Sequence, residues 1–376
     1  MRETQTHALD RRAHDEQTQY VSAFNVGRVL SENARRRPER ATADMVAKAA
    51  QVSRVAVSRA FNPHTSLKPE KRDLILKIAR ELNYSPDMAA RSLVTRRSHL
   101  VGVIVPDVCS PWESQEIDAL TSALQAEGFA TLLFKTRTDR SMDQTLLTYM
   151  KGFNPDSIIA FTENVLPQLL EQVFDRAVPI YVTYPHSEDE PPPPPGGPLF
   201  DKLEVIQRDG IDQAIALLQG FGRKRIAFLS GDPQASASIE REYVLRQVMA
   251  ARGLGRPTVV AGDFTYDAAY AAAVDLFRIG DGADAIFCAN DVSAFGVIDA
   301  LRHELGMNVP GDVAVVGFDD IEQAGWRAYS LTTVKIDLEE RVRALVRLIL
   351  RRLKDPTAPA LTETIRTKLV VRGTVG

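Results

Sequence analysis

Apolar positions recur in two rhythms along this chain, and the rhythm changes near residue 99. Between Ala43 and Leu82 they repeat at three- and four-residue spacing, the helical period. Met45, Val46, Ala49 and Ala50 share one face of a first helix, and Gln51 and Val52 turn the chain. Ser53 is placed to cap a second helix, Arg54 to Phe61, because its hydroxyl accepts a free first-turn N–H. Val57 and Phe61 then face inward, and Arg54, Val55, Ser58 and Arg59 face out. A third helix is predicted from Pro69 to Leu82. Ser66 or Lys68 precedes it, Pro69 suits its first turn, and Leu74, Ile75, Ile78 and Leu82 form its buried stripe.

From Leu100 onward, short apolar runs alternate with amphipathic stretches. The runs are Leu100–Val105, Ala130–Phe134, Ser157–Phe161 and Pro179–Thr183, then Arg225–Leu229, Val259–Ala261, Ala285–Ala289 and Val313–Phe318. Between them lie Ser114–Glu127, Asp209–Gln219, Ile239–Arg252 and Val292–Glu304, with Gly128 and Gly306 where helix C-caps belong. Alternating strand and helix predicts parallel sheets wound on both faces, and two sets of strands predict two lobes. Leu331–Ile336 is expected to cross back to the first lobe, Asp337–Leu353 to form a helix with Leu338, Val342, Leu345, Leu348 and Ile349 inward, and Thr362–Val371 to be a last strand. Lobe 1 then covers about residues 99–197 and 337–355, and lobe 2 about 198–336 and 356–376. The run Pro191–Pro195 with Gly196-Gly197 cannot occupy a central strand and is expected as a surface insertion near the first crossover. No heptad pattern follows the last strand, so no tetramer-forming coiled coil is expected.

Composition narrows the class. With 376 residues, 44% hydrophobic and 25% charged, the chain can bury two or three proper cores. Its two cysteines, Cys109 and Cys288, imply no disulfide framework and fit a reducing cytoplasm. No apolar run approaches the roughly 20 residues that span a bilayer, and the N-terminus carries charges in place of a signal-peptide core. The net charge of −3 is unevenly distributed: Thr42 to Ser98 holds 11 Lys+Arg against 5 Asp+Glu, or +6, and residues 1–41 hold 8 against 6, or +2, leaving −11 for the rest. A basic small module on an acidic large one points to a polyanion for the small module alone. Residues 1–41, with Arg35-Arg36-Arg37, read as a disordered extension, residues 42–86 as a helix-turn-helix domain, 87–98 as a linker and 99–376 as the core.

A short helix with arginines at its exposed N-terminal end is the shape that enters a DNA major groove. The surrounding residues carry a resemblance. Val52-Ser53, Val57-Ser58-Arg59 and Asn62, followed by Leu82-Asn83-Tyr84-Ser85-Pro86 and Ala89-Ala90-Arg91-Ser92-Leu93, resemble the headpiece of the LacI/GalR family of bacterial transcription regulators. The family usually has Thr, Gly and Asn where this chain has Ala56, Gln51 and Asp87. The resemblance implies an N-terminal all-α helix-turn-helix headpiece and an α/β periplasmic-binding-protein-like core of two doubly wound parallel-sheet lobes. It implies that Asp87–Val94 is a hinge helix that orders on operator DNA beside its dimer mate, with Leu93 as the wedge that kinks the minor groove. Arg54, Val55 and Arg59 would read base edges, while Ser53, Ser58 and Asn62 would hold phosphates.

In doubly wound sheets, ligands bind outside the carboxyl ends of the strands. Those ends place Ser110, Trp112, Phe161, Tyr184, Arg241, Phe264, Asn290 and Asp319 as candidate effector contacts. Trp112, Tyr184 and Phe264 offer stacking faces for a sugar or a base. Arg241, Asn290 and Asp319 offer the donors and acceptors that fix vicinal hydroxyls or a carboxylate. Asp291 is read as a helix-capping residue. The family resemblance supports Ser110-Pro111-Trp112, Arg241, Phe264, Asn290 and Asp319 as effector contacts. The family often carries Asp at Tyr184, so a simple hexose is a weaker expectation.

Catalysis finds little support: there is no phosphate-cradling glycine loop and no nucleophile elbow. The six histidines show no metal-ligand spacing, and Cys288 lies in an apolar strand. The expectation is therefore a cytoplasmic, ligand-responsive repressor without a cofactor or membrane partner, binding a palindromic operator as a homodimer, with a sugar-like effector between the lobes. A solute-binding protein and an α/β enzyme are the alternatives.

Overall fold

A computed structural model describes residues 41–61, 65–86, 92, 97–105, 110–135, 144–161, 178–182, 201–233, 235–279 and 282–376. The chain divides into two compact units, Met1–Arg91 and Ser92–Gly376.

The described part of the first unit is three helices: α1 Ala43–Ala49, α2 Arg54–Ala60 and α3 Pro69–Glu81. Thr42 Oγ1 accepts from Met45 N at 3.3 Å and Ser53 Oγ from Ala56 N at 3.2 Å, so both short helices begin on a side-chain cap. Their core is Val46, Ala47, Ala50, Ala56, Val57, Ala60, Ile75 and Ala79, with Phe61, Ile78, Leu82 and Tyr84 packed around it. The inward faces are therefore rotated slightly from the predicted ones: Met45 and Ala49 face solvent, and Leu74 is 47% exposed. Small residues decide this, since Ala47, Ala50, Ala60 and Ala79 let the helix backbones approach closely where a longer side chain would hold them apart. Gln51 turns the chain between α1 and α2 with φ 52°, a left-handed conformation.

The second unit holds twelve strands among its described residues: β1 Leu100–Val105, β2 Ala130–Lys135, β3 Ser157–Ala160, β4 Ile180–Val182, β5 Lys202–Ile206, β6 Ile226–Leu229, β7 Thr258–Val260, β8 Ala285–Cys288, β9 Ala314–Asp319, β10 Thr332–Lys335, β11 Thr362–Arg366 and β12 Lys368–Val370. A four-stranded sheet runs β2-β1-β3-β4, all parallel. A six-stranded sheet runs β12-β10-β9-β8-β6-β7, parallel except for the edge strand β12. The helices between them are α4 Pro111–Ala126, α5 Gln144–Gly152, α6 Arg208–Gly220, α7 Ser236–Ala251, α8 Tyr266–Ile279, α9 Asp291–Asp299 and α10 Leu338–Lys354. The central strands are buried on both faces, as parallel sheets require: all four residues of β3, β6 and β8 and all six of β9 are buried.

Two differences from the sequence expectation concern how the sheets connect, and a third concerns a helix. Leu331–Ile336 does not cross over; Thr332–Lys335 is β10 and pairs in parallel with β9. Only after it does the chain turn into α10, which packs against α4. The expected last strand breaks at Thr367: β11 pairs with β5, a strand the apolar runs did not mark, and β12 pairs with β10. Thr367 fixes the break, because its hydroxyl oxygen accepts from Gly210 N at 3.0 Å and lies 3.0 Å from the carbonyl oxygens of both Ile206 and Gln207. The helix expected to run to Glu304 changes to a π-helical turn at Ala300–Glu304. Gly128 and Gly306 do close helices, with φ of 81° and 62°. Cys288 is fully buried, and desolvation raises its thiol pKa, as expected of a core cysteine.

Two buried ion pairs tie α10 into the unit. Arg341 Nε donates to Glu116 Oε1 on α4 at 2.5 Å. Asp201 accepts from Arg351 and from Arg352, whose Nη2 is 2.6 Å away, and from Leu361 N at 2.9 Å. The amphipathic pattern of α10 had located its apolar face but not these two inward arginines.

Candidate nucleic-acid interface and ligand site

On α2, Val57 is fully buried and Ala60 is 2% exposed. With the helix pinned by those residues, Arg54, Val55, Ser58 and Arg59 are left in solvent, as the sequence predicts. Val55 is 59% exposed, an apolar side chain offered to water. Ser53 stands at the start of the helix and is occupied in capping it. Ala56 is 8% exposed and packs inward. The end of α2 and Thr65 are joined from α3: Arg72 donates to Ala60 O at 3.0 Å and to Thr65 O at 2.9 Å, and Thr65 Oγ1 donates to Arg59 O at 2.8 Å. The sequence reading missed Arg72, since an arginine on an amphipathic helix has no periodic signal that separates a tether from a solvated charge. Asn62 and Leu93 lie outside the described residues, as does the remainder of the expected hinge except Ser92.

The second candidate site is built at the carboxyl ends of the six-stranded sheet. Arg241, on the second turn of α7, is 7% exposed. Its Nη1 donates to Ala289 O at 2.5 Å, its Nη2 is 3.6 Å from Asp319 Oδ1, and its guanidinium lies 3.9 Å above the ring of Phe318. Its Nε is buried and has no hydrogen-bond partner among the described residues. Asn290, next in sequence to Ala289, caps α9 through Oδ1, which accepts from Ser293 N at 2.9 Å, and its Nδ2 donates to Phe264 O at 3.1 Å. Phe264 has φ 70°, and its ring covers Gly231, where an added Cβ would come within 2.0 Å of Cζ. Arg241, Asp319, Asn290 and Phe264 are thus brought together, although 78 residues separate Arg241 from Asp319.

Asp319 ends β9 with φ 116° and Asp320 follows with φ 62°. The two adjacent acids therefore leave the strand in different directions: Asp319 toward Arg241, and Asp320 toward Arg372 at 2.5 Å and Lys335 at 3.2 Å. Burial pushes the Asp319 carboxyl well above its ordinary range; Arg241 opposes this, and the charges of Asp291, Glu113 and Glu116 add to it.

The residues on the four-stranded sheet behave differently from the expectation. Trp112 is 8% exposed and Phe161 2%, and both belong to the main hydrophobic core. Their rings are largely consumed by packing rather than presented as open stacking faces: Phe161 follows directly on the buried strand β3, and Trp112 lies in the first turn of α4 among core residues. Ser110 is partly buried at the start of α4 and makes no side-chain capping bond. Tyr184 lies outside the described residues. Asp291 is no helix cap: its carboxylate accepts from Ile321 N at 2.9 Å and from Thr333 Oγ1 at 2.5 Å, so it fastens the turn after β9 to β10.

Comparison with known proteins agrees with both units. Residues 43–87 match the model for bacterial regulatory proteins of the lacI family, and residues 215–375 match a periplasmic binding protein-like domain. The chain is 31% identical over 354 residues to the HTH-type transcriptional regulator CelR of Thermobifida fusca, covering 90% of this chain and 98% of that one. It is 28% identical over 340 residues to the HTH-type transcriptional repressor PurR of Vibrio campbellii, covering 89% and 98%. Among solved structures, the lac repressor dimer bound to operator and the anti-inducer ONPF superposes with a TM-score of 0.77 at 22% identity, over 89% of this chain and 99% of that one. A CelR–cellobiose complex superposes with a TM-score of 0.64 at 27% identity, over 89% and 100%. A three-helix unit with an exposed, capped second helix, a core of two parallel sheets, and a relative at this identity over nearly its whole length make the chain a member of the lacI family of bacterial regulatory proteins.

Proposed function

We propose that this protein is a ligand-responsive transcriptional repressor that binds a near-palindromic operator as a homodimer in the cytoplasm. The observation that carries the reading is the outward face of α2. Arg54, Val55, Ser58 and Arg59 stand clear of their own unit on a helix whose opposite side is locked by Val57 and Ala60. A rigid helix of this kind fits a major groove: an arginine matches guanine O6 and N7, and an apolar side chain suits a thymine methyl. Arg54, Val55 and Arg59 take the base edges, and Ser53, Ser58 and Asn62 the phosphates. One such unit reads half a palindrome, which is why a dimer is required. Leu93 is assigned the minor-groove wedge.

The effector is assigned to Arg241, Asp319, Asn290 and Phe264 at the ends of the six-stranded sheet, with Ser110 and Tyr184 as further contacts and Trp112 and Phe161 left to the core. A buried guanidinium with a spare Nε beside a carboxylate is suited to hydroxyl pairs, so a sugar or sugar derivative is the class proposed. Its binding and operator binding are coupled reciprocally. CelR and PurR are transcription regulators, and we assign no catalysis to this chain.

The test is selection of duplexes from a random library by the full-length protein, followed by titration of the selected duplex with and without cellobiose and other sugars. An enriched palindrome whose affinity changes with one sugar supports the reading. Binding that shows no preference over random competitor refutes it. Arg54→Ala is expected to relax base preference at one position of each half-site, by about 1–3 kcal/mol.

A further inference from the structure

Arg54 has a neighbour that the sequence reading did not consider. Asp44, in the first turn of α1, holds its Oδ1 3.8 Å from Arg54 Nε. The two side chains are 69% and 73% exposed. An ion pair so open to solvent adds little to stability, and as an acid in the first turn of α1 Asp44 also suits the helix dipole. What matters for recognition is that the atom nearest the carboxylate is Nε. A guanidinium carries five donors in a planar fork. Guanine offers two acceptors, O6 and N7, and the two terminal nitrogens of an arginine match them. At 3.8 Å the carboxylate approaches the Nε side as a charge rather than a hydrogen-bond partner, so it attracts the guanidinium from that side and leaves the Nη1–Nη2 edge available for that pair.

The same carboxylate works against the competing use of the arginine. A phosphate can draw Arg54 to the backbone only by taking it from Asp44, and it is itself repelled by Asp44. A base edge taken by Nη1 and Nη2 requires neither. Asp44 therefore opposes sequence-independent binding more than base reading.

We propose that Asp44 is a positioning residue that presents Arg54 to a guanine and discourages its use on phosphate. The proposal rests on the assignment of α2 to the major groove. Its experiment uses the full-length chain and the duplex that the wild type selects. Asp44→Asn, close in size but uncharged, is expected to lose roughly three- to ten-fold of the discrimination at the Arg54 position, a fraction of what a good arginine–guanine pair supplies. Its affinity for random duplex is expected to rise, with a steeper dependence on salt. Asp44→Glu is expected to restore most of the preference. In Arg54→Ala, the added Asp44→Asn change is expected to cost no further preference at that position.

Unchanged base preference in Asp44→Asn overturns the proposal. So does an equal loss on all duplexes accompanied by a lower melting temperature, which would mark Asp44 as a helix-stabilising acid only. A wild type that selects no sequence overturns the groove assignment itself, and the two failures are thereby distinguished.

Discussion

The Thr333 hydroxyl donates to Asp291 Oδ1 at 2.5 Å, across 42 residues of chain and wholly inside the protein. Thr333 lies on β10 and Asp291 opens α9, so this one bond ties the end of the sheet that holds Asp319 to the helix that Asn290 caps. Gly317 makes room for it: a Cβ there would lie 2.2 Å from the same carboxylate oxygen.

Burial pushes the Asp291 carboxyl up to about 7, against the pull of its hydrogen bonds to Thr333 and Ile321. Its folded value stands above its unfolded one, so the folded state holds the extra proton between the two. Stability associated with Asp291 is therefore complete below about pH 4 and is lost as pH rises toward 7. Asp291→Asn is expected to flatten the dependence of urea midpoint on pH between about 5 and 7. Urea titrations at several pH values check this, and an unchanged slope would contradict it.

Gln51 occupies a left-handed turn with φ 52°. A side chain there carries strain of roughly 1–2 kcal/mol that glycine avoids, partly offset by the greater freedom of glycine in the unfolded chain. Gln51→Gly is expected to stabilise the three-helix unit by about 0.5–1 kcal/mol, read as a higher midpoint in its thermal or urea unfolding.

Gly231 lies beneath the ring of Phe264, and an added Cβ would overlap three ring atoms within 2.3 Å. Gly231→Ala is expected to destabilise by about 1–3 kcal/mol by forcing the ring aside. Combined with Phe264→Ala, which empties that space, the loss should be smaller than the sum of the two. Strict additivity in urea unfolding would mean that the ring does not rest there.

Asp201 is fully buried at its side chain and receives both Arg351 and Arg352. Removing its charge strands the Arg352 guanidinium, whose side chain is 5% exposed. Asp201→Asn is expected to destabilise the second unit by about 3–5 kcal/mol, a shift large enough to appear as a drop of several degrees in melting temperature.

Much of this architecture is legible in residue order because it is local. Helix caps are chosen by residues three apart, so Ser53 announced α2. Parallel strands buried on both faces are continuous apolar runs, so β1, β3, β6, β8 and β9 stood out. β5, Lys202–Ile206, alternates polar and apolar residues over a short span and meets only β11, so no run marked it. The outward face of α2 was legible for the same reason as its cap: one turn of helix separates what is buried from what is shown.

The residue sequence determined the two units, the alternation of strand and helix, and which end of α2 faces solvent, because each follows from the period of apolar positions within a dozen residues. Tertiary structure decided what pairs across the chain: Arg241 with Asp319, Asp291 with Thr333, Arg341 with Glu116, and Asp44 with Arg54. It also turned Trp112 and Phe161 from expected ligand faces into core. Charges and rings carry no period of their own. Their partners are chosen by the packing of separate elements, most of them dozens of residues apart, and only the folded chain brings those elements together.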